Sequence, residues 1–251
     1  MVGSSLLSYY GLFRSILRYY GIPFRIHRLT HFYAQFIRPG DLCFDIGSHL
    51  GNRILAWSRL GARIVAVEPQ PVAMKFLKMM YHKRSNVILV ESALGAEKGD
   101  MTLFVDPRNP TVATLSLDWI MKVRLLSSFS KERWSTTLTV PVTTLSELIN
   151  QYGQPSFCKI DVEGFEYEVL KGINRPLTCL SFEYIPAAIE TALACISRLC
   201  YLGEYRFQWS IGENPSLSGA GWFSGEDMAD WLRSLSPADP SGDIYARLQE
   251  M

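Results

Sequence analysis

The sequence predicts an α/β domain, a mainly parallel sheet with helices on both faces, and two observations carry that expectation. From Asp41 onward short apolar runs alternate with helical segments, the pattern of strands buried between two helical layers. Within that rhythm, residues 42–52 read as an apolar strand, a turn with glycines four apart and the start of a helix, the local order that places a ligand at the C-terminal edge of such a sheet.

Residues 1–38 are rich in Tyr, Phe, Leu and Ile and hold Arg14, Arg18, Arg25, Arg28 and Arg38 with no acidic side chain. One or two amphipathic helices broken at Gly21 and Pro23 are expected there, either as a cap packed on the domain or as a weak contact with a membrane surface or a partner. Strands are expected at 42–46, 63–67, 87–90, 157–160 and 179–182, and helices at 51–60, 71–82, 144–152 and 164–172. Pro71 and Gly164 suit helix starts, and Gly61 and Gly172 suit helix ends. Residues 100–105 read as a hairpin arm, and 109–135 as an irregular insertion before a strand at 137–142, the kind of segment that forms a lid or substrate loop. After Glu183 the chain offers a helix at 187–201, a strand at 205–210, a Gly/Ser-rich loop at 215–225, a short helix at 226–235 and a last strand at 243–248.

Composition bounds the function. A chain of 251 residues, 48% hydrophobic, buries a large core and suits one domain with short additions. Its 25 basic and 24 acidic side chains nearly cancel, so no overall positive field draws it to nucleic acid. Cys43, Cys158, Cys179, Cys195 and Cys200 form no C-x-x-C pair and read as buried thiols in a reducing compartment. With no long apolar run and no secretory start, the cytoplasm is the expected location.

The run Leu42-Cys43-Phe44-Asp45-Ile46-Gly47-Ser48-His49-Leu50-Gly51-Asn52 is built to hold a cofactor. Gly47 and Gly51 would let the backbone approach a ligand where a Cβ would collide. A dinucleotide site would carry G-x-G-x-x-G for a pyrophosphate. Here the pattern is D-x-G-x-x-x-G, and the strand-tip acid suits a cationic ligand better; S-adenosylmethionine has an ammonium, a carboxylate and a sulfonium but no phosphate. Glu68, before Pro69 at the next strand end, stands where a carboxylate holds a ribose diol. After the third strand, Glu91 or Ser92 is placed to contact the adenine, and Ala93 leaves room for it.

A second cluster, Lys159-Ile160-Asp161-Val162-Glu163-Gly164, ends the fourth strand of the main rhythm. Strand alternation puts Lys159 and Asp161 on one face and leaves Glu163 in the loop above. The bland alternative pairs Asp161 with Lys159 and sets Glu163 at a helix dipole. Glu183 adds an acid on the same edge, but no histidine joins Asp161, Glu163 and Glu183, so no metal is expected.

With Asp45-Ile46-Gly47, Gly51-Asn52, Val67-Glu68-Pro69, Ser92-Ala93-Leu94-Gly95, Val142-Thr143-Thr144-Leu145 and Lys159 to Gly164 in this order, the chain resembles the FkbM-type methyltransferases. The resemblance covers roughly Pro39 to Tyr184 and implies a Rossmann-like class I methyltransferase fold; the methyltransferase domain is expected over 39–251, with 1–38 as a helical cap. It also implies a seven-stranded sheet whose last strand runs antiparallel, and O-methylation of a hydroxyl on a small molecule, sugar or glycan. By the same resemblance Asp45, Gly47, Glu68, Ser92 and Asp161 are cofactor or active-site positions. Methyl transfer to a hydroxyl needs positioning and a general base; Asp161 or Glu163 is the candidate base and Lys159 an orienting charge. The rival readings are a non-catalytic cofactor-binding scaffold and an NAD-type oxidoreductase, the latter opposed by the turn at Gly47–Gly51.

Overall fold

The computed structural model describes residue 11 and residues 14–17, 20–212 and 214–249. In chain order the elements begin with α1 (Arg25–Tyr33), β1 (Leu42–Ile46), α2 (Asn52–Arg59), β2 (Arg63–Val67), α3 (Pro71–Tyr81) and β3 (Val87–Val90). A side arm follows, made of β4 (Ala93–Leu94), β5 (Gly99–Val105), α4 (Leu117–Val123) and β6 (Thr136–Thr143). The chain returns through α5 (Leu145–Tyr152), β7 (Phe157–Ile160), α6 (Glu166–Lys171), β8 (Cys179–Tyr184), α7 (Ile189–Leu202), β9 (Tyr205–Trp209), α8 (Gly225–Arg233) and β10 (Gly242–Leu248).

Seven strands form one sheet in the order β3-β2-β1-β7-β8-β10-β9. The first five of that order pair in parallel, and β10 runs antiparallel to both β8 and β9. Helices cover both faces, which is why β1 reads as an unbroken buried run rather than an alternation. The order reverses between β1 and β7, and a crevice opens there at the carboxyl ends of the strands. Local signals place the helices. Pro71 opens α3, the Thr144 side chain caps α5 by accepting from the Glu147 N–H, and Ser224 with Asp227 forms a capping box on α8.

One face of the sheet packs Phe44, Ile46, Ile160 and Phe182 against α6, α7 and α8. The other face is aromatic. Tyr33 meets Trp57 and Phe157 edge-on at 5.4 and 5.7 Å, and Phe36 stacks on Tyr245 at 5.3 Å. The α1 segment is therefore fastened into the core by its own rings. Of the N-terminal helices expected from the sequence, part lies outside the described residues; 14–17 and 20 are helical, the break falls at 21–24, and α1 follows.

Two expectations need correction. The 109–135 insertion is not irregular throughout: it holds α4 and short 3-10 turns at Pro110–Val112 and Ser127–Phe129. Ser116 caps α4 by accepting from the Trp119 N–H, and Trp119, Ile120 and Val123 bury one face of it. The cysteines are not all buried either, since Cys200 is exposed on α7 and Cys179 is half-buried. The expected arm at 100–105 pairs antiparallel with the strand expected at 137–142, within a small sheet of order β4-β6-β5.

Candidate active site

The turn after β1 holds Gly47, His49 and Gly51 at φ +81°, +45° and +74°. A Cβ on Gly47 would lie 1.8 Å from the Asp161 carbonyl oxygen, so this glycine lets the β1 and β7 loops touch. A Cβ on Gly51 would meet Leu77 and Tyr81 at 2.9 Å. Both collisions are with protein atoms, and Gly47 lines the crevice as well. The Ser48 hydroxyl donates to the Asp45 carbonyl at 2.8 Å, and the Asn52 side-chain carbonyl accepts from the Arg53 N–H at 3.0 Å. Ser48, Gly51 and Asn52 thus brace the turn from behind, while Gly47 and His49 face the crevice.

A cleft of about 530 Å³ opens beside that turn. Glu68 and Pro69 line it from β2, Ser92 and Ala93 from the end of β3, and Asp161 and Glu163 from the loop after β7. The side arm supplies Leu103, Thr114 and Leu115. Glu68 is buried, and its two oxygens accept from the His49 N–H at 2.8 Å and the Gln70 N–H at 2.9 Å. Burial pushes its carboxyl up to about 7 against these hydrogen bonds. Each oxygen keeps acceptor capacity for a ribose hydroxyl. The Ser92 hydroxyl donates to the Ala93 carbonyl at 2.8 Å. Glu91 instead pairs with Lys78 at 2.5 Å on the exposed side of the strand end and is not part of the lining.

Behind the cleft lies a buried charge network. Lys159 is fully buried and reaches Asp243 at 2.5 Å and Asp161 at 3.4 Å; Arg53 reaches Asp161 at 3.2 Å. Burial works against the Lys159 charge, yet Asp161 and Asp243 hold the ammonium above its ordinary range. Burial likewise opposes ionisation of Asp161, and Lys159 with Arg53 overcomes it, keeping that carboxyl below the usual range. Asp45 is buried with neither carboxylate oxygen hydrogen-bonded among the described residues, and burial pushes it up to about 6 despite Arg53 and Lys159. Asp45 is in the lining of neither cavity and sits behind the turn rather than in the cleft. Glu166 accepts from the Val162 and Gly164 N–H groups at 3.1 and 3.2 Å, which shapes the loop that holds Glu163 at φ +54°.

A second cavity, about 560 Å³, adjoins the first. Its lining includes Tyr33, Arg53, Asp161, Glu183, Asp243 and Tyr245. Asp161 is common to both cavities. Asp161, Glu163 and Glu183 present carboxylate oxygens within 4.8 Å of one another, a donor set of the hard-cation type although no histidine joins it. Desolvation, with Glu163 and Asp161 nearby, drives the Glu183 carboxyl well above its usual range.

A cleft at the switch point of this sheet, with an acid after β2 and a glycine turn after β1, fits the fold of a class I S-adenosylmethionine-dependent methyltransferase. The particular family follows from the sequence match: residues 45–234 fit the model of the methyltransferase FkbM domain, and the chain belongs to that family. No curated protein matches the chain significantly. Among solved structures it is similar to precorrin-6y C5,15-methyltransferase from Geobacter metallireducens, with 13% identity over 90% of this chain and 87% of that one and a TM-score of 0.48. It is also similar to an rRNA methylase from Streptococcus thermophilus, at 11% identity over 89% of this chain and 96% of that one with a TM-score of 0.45. Aeropyrum pernix fibrillarin, solved with S-adenosyl-L-methionine, shares 12% identity over 83% of this chain and 67% of its own, with a TM-score of 0.42.

Sequence reasoning missed Arg53, Asp243, Tyr33 and Tyr245. Arg53 follows the predicted Asn52 directly and pairs with Asp161; Asp243 opens a predicted strand, but its meeting with Lys159 depends on β10 pairing with β8, where Asp243 lies opposite Glu183.

Proposed function

We propose that the protein is an O-methyltransferase acting on a hydroxyl of a small molecule, sugar or glycan. The observation that carries this reading is Asp161, which lines both the cleft that suits S-adenosylmethionine and the polar cavity beside it. S-adenosylmethionine supplies an electrophilic methyl group on a sulfonium, and an oxygen nucleophile displaces the neutral thioether. In this reading Glu68 accepts from the ribose hydroxyls, Ala93 and Leu115 flank the base, and Asp45 acts on the ammonium only from behind the turn.

The acceptor occupies the second cavity, where Tyr33, Asn214 and Ser241 offer hydrogen bonds to a polyhydroxylated molecule. Its reacting hydroxyl points at the Asp161–Glu163 tip. As the C–O bond forms and the C–S bond breaks, the hydroxyl proton passes to a carboxylate there, Asp161 or Glu163. Lys159 and Asp243 fix the position of Asp161 from behind.

The test uses methyl-labelled S-adenosylmethionine with polar and lipid extracts of cells as acceptor source, followed by identification of the labelled product. An alkali-stable methyl ether supports the proposal. A methyl ester, a methylamine or a C-methyl product refutes it.

A further inference from the structure

The surface around the break before α1 combines exposed apolar side chains with basic ones. Residues 1–38 hold five arginines and no acidic side chain, and the outward face of α1 carries Arg28, His27 and His31 in the open. Next to that basic face, Ile22 and Phe24 stand in solvent, Phe24 at 79% exposure. Phe24 also has φ +59°, the left-handed region that bulky side chains avoid. A large aromatic ring held outward on strained backbone contributes nothing to the core, and strain of this kind persists where a segment has work to do. Leu17, exposed one turn before the break, and Arg14 extend the same mixture of apolar and cationic groups.

This region is joined to the reaction site. The Tyr20 hydroxyl donates to the Leu50 carbonyl at 2.7 Å, inside the glycine turn. On its inward face α1 contributes Leu29, Phe32 and Tyr33 to the wall of the second cavity. One short helix therefore has a basic outer side and lines a cavity with its inner side.

We propose that the loop at Ile22–Phe24 and the basic face of α1 dock the protein on an anionic phospholipid surface. Phe24 and Ile22 enter the headgroup boundary, and Arg14 and Arg28 meet the lipid phosphates. Charge complementarity is the reason to choose a bilayer over a second copy of the chain: two such basic faces repel each other.

The test is flotation of the purified full-length protein with vesicles of phosphatidylcholine alone and with vesicles of equal parts phosphatidylcholine and phosphatidylglycerol. Binding is expected only to the anionic vesicles and is expected to weaken with added salt. Arg14→Glu and Arg28→Glu should each lower the partition coefficient by about fivefold or more. Phe24→Asn is the decisive variant, because asparagine tolerates the left-handed conformation and caps helices well. It should melt at the same or a higher temperature than the wild type while losing about tenfold in vesicle binding. Wild-type protein that stays off anionic vesicles overturns the proposal, as does a Phe24→Asn variant that binds them unchanged. Self-association through this face, seen as a dimer in gel filtration that Arg28→Glu dissolves, also overturns it.

Discussion

Glu68→Ala isolates the cofactor assignment. In the wild type the carboxylate is held by the His49 and Gln70 N–H groups, so its oxygens stand ready to accept from both ribose hydroxyls. Losing two charge-assisted hydrogen bonds at roughly 1.5 kcal/mol each removes about 3 kcal/mol of binding, which is on the order of 150-fold in Kd. The same change leaves the two backbone N–H groups without that acceptor and also removes a carboxyl that burial has pushed up to about 7. These effects on the fold oppose each other, so the variant should remain folded with a modest change in melting temperature. Calorimetric titration with S-adenosylhomocysteine, beside a circular-dichroism melt, reads both quantities. Glu68→Gln keeps one side-chain oxygen and should fall between wild type and alanine. A folded Glu68→Ala protein that binds within about threefold of the wild type would mean that the ribose is held elsewhere.

Three further outcomes are expected. Lys159→Met leaves Asp243 without its cation while Asp161 keeps Arg53, and breaking such a buried pair should cost about 3–5 kcal/mol in urea unfolding. Adding Asp243→Asn should restore about 1 kcal/mol or more, and additive losses would count against the network. Glu166 rises from 4.5 to about 7 on folding because it is buried, so the folded chain keeps a proton that the unfolded chain releases. Stability from this group is complete below about pH 4.5 and is lost as pH rises toward 7. Glu166→Gln should flatten that slope in pH-dependent denaturation, and an unchanged slope would assign it to other groups. Gly47→Ala puts a Cβ 1.8 Å from the Asp161 oxygen at φ +81° and should cost about 2 kcal/mol or more together with S-adenosylhomocysteine binding; near-normal values for both would show that the loops can separate.

Apolar runs made the parallel strands legible, because a strand covered on both faces has nowhere to put a polar side chain. The five strands from β1 to β8 in the main sheet fall within two residues of their expected bounds for that reason. The carboxylates of both sites were legible by their place at strand tips. What could not be read was which groups stand behind others. The packing of Gly51 against Leu77 and Tyr81, which lie on α3, has no local signal. Asp243 lies 84 residues from Lys159 in sequence, and no local pattern connects them. The seven residues of α4 were too few for a clear period, although Ser116 ahead of Trp119 was a usable capping signal.

The position of β10 bears on how the molecule matures. It inserts between β8 and β9 after both have been made, and it brings Asp243 to Lys159 and Tyr245 to the second cavity. The glycine turn, Glu68 and the β7 tip all leave the ribosome earlier. Lys159 is thus synthesised 84 residues before Asp243, and its ion pair with that carboxylate forms only once β10 is in place.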